Sequence, residues 1–277
     1  MTEEPFWRWV AASVRGTAHV ESGTPCQDYF ACRLIGSGVN KTLVLTVADG
    51  AGSALHSHVG SATACQAFLA SVENSLASST SKLTFTTDLA QSWLLATRAE
   101  LKRLSDDNGH PIREYASTLL VAIIQPEQSM YIQIGDGLIV AQGEDQGGWS
   151  WIFWPNRSEY ANETYFLSDD RVLDSAQIEL TDHCPAEVAL LTDGIERLVV
   201  TYADKSVYAP FFDRNIRPVR QCENEAENAG LSLLLAKYLR STEISARTDD
   251  DITLVLASRW APIMPHAEPS PCDQHSG

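Results

Sequence analysis

The fold is decided by Leu43-Val44-Leu45-Thr46-Val47-Ala48-Asp49-Gly50-Ala51-Gly52-Ser53. The apolar residues of 43–48, interrupted only by Thr46, predict a short strand that is buried on both faces. Asp49 follows directly, and a carboxylate at the end of a buried strand is costly to desolvate unless a positive charge meets it. Gly50 and Gly52 allow the backbone to turn and to approach a ligand closely. Oxygen ligands beside such a turn suit Mg²⁺ or Mn²⁺, although a plain Asp-Gly turn is the better explanation for one such motif alone.

Acidic residues stand at three more strand ends. If the fold gathers the four ends, four or more carboxylates share one site, and their mutual repulsion calls for divalent cations. Two cations roughly 3.5–4 Å apart form the arrangement that activates water for attack on phosphorus. Asp49 is then the natural bridge between them, with the Gly50 carbonyl as a further ligand. The other three ends are Gly135-Asp136-Gly137 after 130–134, Asp193-Gly194 after 188–192, and Asp249-Asp250-Asp251 before 252–257.

Length and charge exclude several classes of protein. The 277 residues suffice for one large or two small domains. A net charge of −16 argues against a partner that is nucleic acid or an anionic membrane, since both require a basic surface. No apolar run reaches the roughly 18 residues of a membrane helix. The six cysteines are scattered, and no export signal precedes them, so we expect reduced thiols and a cytoplasmic protein.

Hydrophobic periodicity predicts the remaining elements. Residues 15–19 are interpreted as a turn, 201–222 as a long connection, 155–186 as a flap-like segment, and 259–277 as a disordered tail without periodicity. The predicted strands are 6–14, a second strand that is entered at 27–28 and runs to 35, and then 119–124, 130–134, 138–141, 149–154, 188–192 and 252–257. The predicted helices follow Gly60, cover 89–104, open at 195–198 and cover 231–238.

Five motifs in this order resemble one known family, the metal-dependent protein phosphatases, also called protein phosphatase 2C, and especially its bacterial phosphatase C subgroup. The resemblance spans about residues 10 to 258. It implies an α+β fold in which two face-to-face, mostly antiparallel β-sheets are flanked by helices, an αββα sandwich formed by a single domain over 1–258. The motifs are Gln27-Asp28, Asp49-Gly50-Ala51-Gly52, Gly135-Asp136, Thr192-Asp193-Gly194 and Asp250-Asp251-Ile252-Thr253.

The same resemblance implies a site and an activity. Asp49 bridges two Mn²⁺ or Mg²⁺ ions, the Gly50 carbonyl binds one of them, and Asp193 and Asp250 bind the other. Asp136, with Asp193, matches a third, more weakly held ion. Asp28 orients a metal-bound water, which hydrolyses phosphoserine or phosphothreonine directly. The implied partners are a phosphorylated protein substrate, a Ser/Thr kinase and a von Willebrand A-type protein.

Three departures from the family pattern concern the site, one at a water-mediated metal contact and two on the substrate side. Gln27 stands where many members have Glu, Gly23 where many have a phosphate-binding Arg, and Ala51 where some have a His proposed as general acid. His19 is our candidate catalytic proton donor, while His56, His58 or a metal-bound water remain alternatives. The candidates for phosphate binding are Arg15, Arg33 and Arg157. Two other functions stay open, a non-catalytic binding or regulatory module and a hydrolase of another phosphate ester.

Overall fold

Two antiparallel sheets lie at the centre of the computed structural model, which describes residues 6–36, 41–79, 82–143, 148–154, 164–222 and 224–260. In spatial order, the first sheet contains β1 (Phe6–Val14), β12 (Ile252–Trp260), β9 (Glu187–Leu191), β6 (Leu138–Gln142) and β7 (Trp149–Trp151). The second contains β2 (Tyr29–Ile35), β3 (Thr42–Ala48), β4 (Leu119–Gln125), β5 (Gln128–Ile134) and β8 (Gln177–Thr181). A two-stranded ribbon of β10 (Val200–Thr201) and β11 (Ser206–Val207) accompanies them.

Helices cover the outer face of each sheet. They are α1 (Thr17–Ser22), α2 (Ser57–Ser78), α3 (Thr87–Asn108), α4 (Val172–Ser175), α5 (Asp193–Val199), α6 (Ala209–Gln221), α7 (Glu225–Leu239) and α8 (Thr242–Ser245). The apolar faces of α2 and α3 pack on the second sheet, and those of α6 and α7 pack on the first. The predicted αββα sandwich is therefore confirmed. No helix in the described ranges is long and apolar enough to cross a bilayer.

Strand β3 is buried on both faces, as its composition predicts. All seven of its residues are buried. Leu43, Leu45 and Val47 pack between the two sheets, whereas Val44 and Ala48 pack beneath the helices. Because β3 lies between β2 and β4, its position is fixed from both sides, and Asp49 emerges from it at a defined place.

The segment Gly135-Asp136-Gly137 carries the chain from one sheet to the other. It leaves β5 in the second sheet and enters β6 in the first, so it is not the tight hairpin that the sequence also allowed. Gly135 and Gly137 have φ angles of 84° and 100°, which favour glycine. An added Cβ at Gly137 would also lie 2.8 Å from the Leu191 carbonyl oxygen. Asp136 is thus held where the two sheets meet.

Three predicted segments are corrected by the structure. The predicted turn at 15–19 is largely the short helix α1, and the predicted connection 201–222 contains the thirteen-residue helix α6. Pro210 and Pro218 conceal α6 in the sequence, but Pro210 lies in the first turn, where a missing N–H costs little. The burial of Phe211, Phe212, Ile216 and Val219 supplies the packing that outweighs Pro218.

The remaining differences concern segment ends. The predicted flap at 155–186 includes α4 and β8, and β8 pairs with β5 as an edge strand of the second sheet. Strand β12 continues to Trp260, two residues beyond the predicted end of the domain at 258, because it pairs with β1 along its whole length. The rest of the predicted flap, 155–163, and of the predicted tail, 261–277, lies outside the described residues.

Candidate metal centre

An open pocket of about 320 Å³ lies where strand ends of both sheets meet. Asp49 reaches it from the end of β3, Asp136 from the crossing between the sheets, and Asp250 from the start of β12. Three of the four acidic strand ends therefore line one cavity, as the sequence predicts. The lining residues are His19, Gln27, Asp49, Gly50, Ala51, Gly52, Thr118, Asp136, Thr164, Phe166 and Asp250.

The Asp49 loop is held by the segment that precedes β4. The Asp49 N–H donates to Thr118 Oγ1 at 2.9 Å, and the Thr118 N–H donates to the Asp49 carbonyl at 2.8 Å. The Ala51 N–H donates to the Ala116 carbonyl at 2.9 Å, and the Gly50 N–H to the Gln27 carbonyl at 3.1 Å. These backbone bonds leave the Asp49 carboxylate as the free end of a rigid turn.

Asp193, at the fourth acidic strand end, does not line the pocket but borders it. It is the first residue of α5 and follows β9 through Thr192. Burial, and after it the charges of Asp136 and Asp250, raise the pKa of Asp193 to about 6. Its Oδ1 atom is buried without a hydrogen-bond partner. An unpartnered carboxylate oxygen facing other carboxylates is the kind of atom that a cation satisfies.

The pKa of the Asp49 carboxyl is raised by burial and by several neighbouring acidic side chains. Burial raises its pKa well above the ordinary value, and the charges of Asp28, Asp193, Asp250 and Asp136 raise it further. Burial also raises the pKa of Asp250. The carboxyls that the sequence predicts to share a site therefore interact electrostatically. Such a set is stable in its ionised form when a divalent cation neutralises it.

Asp28 lies in a buried crevice beside this group. Its Oδ2 accepts a hydrogen bond from Thr192 Oγ1 at 2.8 Å, while its Oδ1 is buried without a partner. Burial raises the pKa of Asp28 to about 8. The same Thr192 hydroxyl accepts the Thr253 N–H at 2.9 Å, so β12 also helps to place the Asp28 carboxyl.

The donor atoms of the described residues suit a divalent metal ion. Their present positions do not form a complete coordination shell. No group of three or more His, Cys, Asp or Glu side chains among them is arranged to hold an ion. The donors at hand are all oxygens, which suit Mg²⁺ and Mn²⁺. Since like charges repel, small rotations of these side chains toward a cation are the expected response to binding.

The structure distinguishes between the candidate proton donors and phosphate-binding residues, because only some of them lie at the pocket. His19 lines the pocket. The His56 ring stacks on His110 with ring centres 4.3 Å apart, and neither His56 nor His58 is among the lining residues. Arg33 pairs with Glu73 at 2.5 Å, well along β2 from the site. Arg15 donates to the Val20 carbonyl at 3.2 Å, and Arg157 lies outside the described residues.

Three supporting residues were missed by sequence reasoning. Thr118 and Thr192 bond to the backbone or side chains of acidic residues, and Asp251 bonds to two backbone amides of the β1–β2 connection. Asp251 was part of the acidic run, but only Asp250 was assigned a role. Thr192 and Asp251 stand beside an acidic strand end in the sequence, which is a signal for both, whereas no acidic residue flanks Thr118. Their partners are far away in sequence, so no local pattern could identify them.

Comparison with known proteins agrees with this geometry. The sequence profile described as protein phosphatase 2C matches residues 15–240. Serine/threonine-protein phosphatase 3 of Escherichia coli (strain K12) is 33% identical over 259 residues, which cover 92% of this chain and 99% of that protein.

Two solved structures share the fold at low sequence identity. The catalytic domain of the serine threonine protein phosphatase PstP, in complex with two manganese ions, aligns with a TM-score of 0.59 at 16% identity, covering 93% of this chain and 100% of that one. The serine/threonine phosphatase Stp1 from Staphylococcus aureus aligns with a TM-score of 0.58 at 14% identity, covering 93% and 95%. Together with the sequence matches, these findings mean that this chain belongs to the protein phosphatase 2C family.

Proposed function

We propose that this chain is a metal-dependent serine/threonine protein phosphatase that hydrolyses phosphoserine and phosphothreonine by direct attack of water. The observation that carries the proposal is the convergence of Asp49, Asp136, Asp193 and Asp250, whose charges act on one another around one pocket. The similarity to a protein named serine/threonine-protein phosphatase 3 supports the substrate class.

The family resemblance implies which oxygen groups at or beside the pocket would hold the metal. Asp49 would bridge two Mn²⁺ or Mg²⁺ ions, the Gly50 carbonyl would bind one, and Asp193 and Asp250 would bind the other. Asp136, with Asp193, would hold a third ion more weakly. Their oxygen donors and the unpartnered Asp193 Oδ1 support this assignment. When bound, such ions lower the pKa of water and so supply the nucleophile at neutral pH.

The chain's own residues orient the reactants. Asp28 offers an unpartnered carboxylate oxygen at the border of the site, which suits it to accept a hydrogen bond from the attacking water. His19 lines the same pocket, which supports a role for it in protonating the departing side-chain oxygen. Both roles are part of the proposal.

The partners and the cellular location are also part of the proposal. The substrate is a phosphorylated protein, and a Ser/Thr kinase and a von Willebrand A-type protein are further proposed partners. A cytoplasmic location is supported by the cysteines at 26, 32, 65, 184 and 222, all of which are free thiols.

Hydrolysis of a phosphothreonine peptide, measured with and without Mn²⁺, tests the proposal. We expect Mn²⁺-dependent release of phosphate that falls on the order of 100-fold or more in Asp49→Asn and in Asp193→Asn, because each variant removes a ligand charge. The matched control is Asp182→Asn, which removes an exposed carboxylate away from the pocket. Mn²⁺ binding without hydrolysis would identify a non-catalytic module, and hydrolysis of nucleotides but not of phosphopeptides would identify another esterase.

A further inference from the structure

We propose that Asp251 is a positioning residue that holds His19 in the pocket so that His19 can donate a proton to the oxygen of the departing serine or threonine. This inference rests on the proposed function and assigns a role that the acidic metal-ligand set does not include. Asp251 directly precedes β12 near one end of the chain, and His19 belongs to α1 near the other.

Asp251 is a buried carboxylate whose two oxygens bond to the segment between β1 and β2. Its Oδ1 accepts the Gly16 N–H at 2.7 Å, and its Oδ2 accepts the Gln27 N–H at 2.5 Å. These two amides flank α1, so Asp251 fixes both ends of the short connection that carries His19. Only 3% of the Asp251 side chain is exposed.

The imidazole of His19 lies directly against the same carboxylate. Its Nδ1 atom is buried and is 2.9 Å from Asp251 Oδ1, an ion-pair contact that is not aligned as a hydrogen bond. Contacts of this kind are often imperfectly aligned before substrate binds. A carboxylate beside Nδ1 favours a proton on that atom, which leaves Nε2 to exchange protons with the pocket. The exposed 21% of the His19 side chain is the part available to substrate.

The backbone also holds His19 close to Asp250. The Ala18 N–H donates to the Asp249 carbonyl at 3.0 Å, and a Cβ added to Gly16 would lie 2.3 Å from the Asp250 carbonyl carbon. Gly16 therefore permits the close approach of α1 to the start of β12. His19 and the predicted ligand Asp250 both line the pocket.

The chemistry explains why such a residue is needed. Water oxygen forms a bond to phosphorus, and the bond between phosphorus and the side-chain oxygen breaks with its electron pair on that oxygen. An alkoxide is a poor leaving group, so the Nε2 proton of His19 passes to this oxygen as the bond breaks. The proton that the attacking water gives up restores His19 after product release. The residue directly after Asp49-Gly50 is Ala51, so this position has no histidine that could donate the proton instead.

The test compares two leaving groups, with the complete protein and Mn²⁺ present throughout. Phosphoserine peptide requires protonation of an alkoxide, whereas p-nitrophenyl phosphate releases a stable phenolate without it. We expect His19→Gln to lower kcat for the peptide by about 100-fold, a typical contribution of general acid catalysis. Asp251→Asn is expected to lower it by at least about 10-fold, because misplacing a catalytic group has effects of this size. Both variants should lose much less activity on p-nitrophenyl phosphate than on the peptide.

Asp249→Asn is the matched control, since it removes an exposed carboxylate two residues from Asp251 and should leave the ratio of the two activities unchanged. The His19→Gln, Asp251→Asn double variant should be no worse than His19→Gln alone, because the two residues act as one unit. An equal loss on both substrates would overturn the role of Asp251. If the wild-type protein hydrolysed neither substrate, that result would instead overturn the proposed function.

A spectroscopic measurement keeps the inference testable if Asp251→Asn does not fold. The ¹⁵N shifts of the His19 ring in the wild-type protein, assigned by their loss in His19→Gln, report which nitrogen carries the proton. We expect Nδ1, the nitrogen beside Asp251, to carry a proton, and Nε2 to be the nitrogen that exchanges protons with the pocket. A His19 ring whose Nδ1 lacks a proton would contradict the proposed contact with Asp251.

Discussion

Thr192 joins two strand ends through one hydroxyl group. Its Oγ1 donates to Asp28 Oδ2 at 2.8 Å and accepts the Thr253 N–H at 2.9 Å. The residue itself is buried. A buried carboxyl that loses such a donor keeps the cost of desolvation without compensation. At the scale of single residues, the site therefore depends on uncharged side chains as well as on the predicted carboxylates.

Replacing Thr192 by Val removes this hydroxyl while keeping the shape of the side chain. We expect the free energy of unfolding to fall by about 1–3 kcal/mol, because the Asp28 oxygen and the Thr253 N–H both lose a partner. Urea denaturation measures this change, and kcat for p-nitrophenyl phosphate should fall with it. Thr192→Ser is the control because it retains the hydroxyl. Equal losses in the two variants would mean that packing of the methyl group, not the hydrogen bonds, matters.

Helix α2 is positioned by a close approach of its first turn to the 3-10 turn that precedes β4. Gly60 lies against the 3-10 turn Ile112–Tyr115, and an added Cβ would be 2.1 Å from the Tyr115 carbonyl oxygen. The His56 N–H, just before the helix, donates to the Glu114 carbonyl at 2.8 Å. At the scale of elements, this contact connects α2 with the segment that also holds Asp49.

Two Gly→Ala variants separate this contact from helix propensity. Gly60→Ala is expected to destabilise the protein by about 1–3 kcal/mol, because the backbone of a neighbouring element must move. Gly230→Ala, in α7, meets nothing within 4 Å and should stabilise by about 0.5–1 kcal/mol. Thermal unfolding of both variants measures the difference. If Gly60→Ala left the stability unchanged, α2 and the 3-10 turn would be able to move apart at little cost.

For the molecule as a whole, the stability of the folded state depends on the ionisation of the carboxyls at the pocket. The pKa of Asp28 is raised from 3.8 to about 8, and that of Asp193 from 3.8 to about 6, with burial as the largest cause for each. The folded chain therefore binds more protons than the unfolded chain between these values. The stabilisation is complete below the unfolded value near 3.8 and is lost as the pH rises through the folded values.

We expect the chelator-treated protein to melt at a lower temperature at about pH 8 than at about pH 6, since Asp28 ionises over this range at a cost to the folded state. Mn²⁺ should raise the melting temperature more at the higher pH, because the ions neutralise carboxylates that are then fully charged. Scanning calorimetry provides the measurement. Asp28→Asn should reduce the pH dependence in the absence of metal, and an unchanged slope would refute the assignment to this carboxyl.

The amino-acid sequence alone predicts most of the strands, the three longest helices and the acidic residues at strand ends, because these follow from local periods and residue types. Strand β3 and the carboxylates at 49, 136, 193 and 250 are recognised in this way. Local periods do not reveal α6, where two prolines conceal a helix that is stabilised by distant packing. The tertiary fold is needed to place Gly135-Asp136-Gly137 between two sheets and Asp251 against His19, which is 232 positions away in the chain. Such contacts depend on which surfaces the folded chain brings together, and no period along the sequence encodes them.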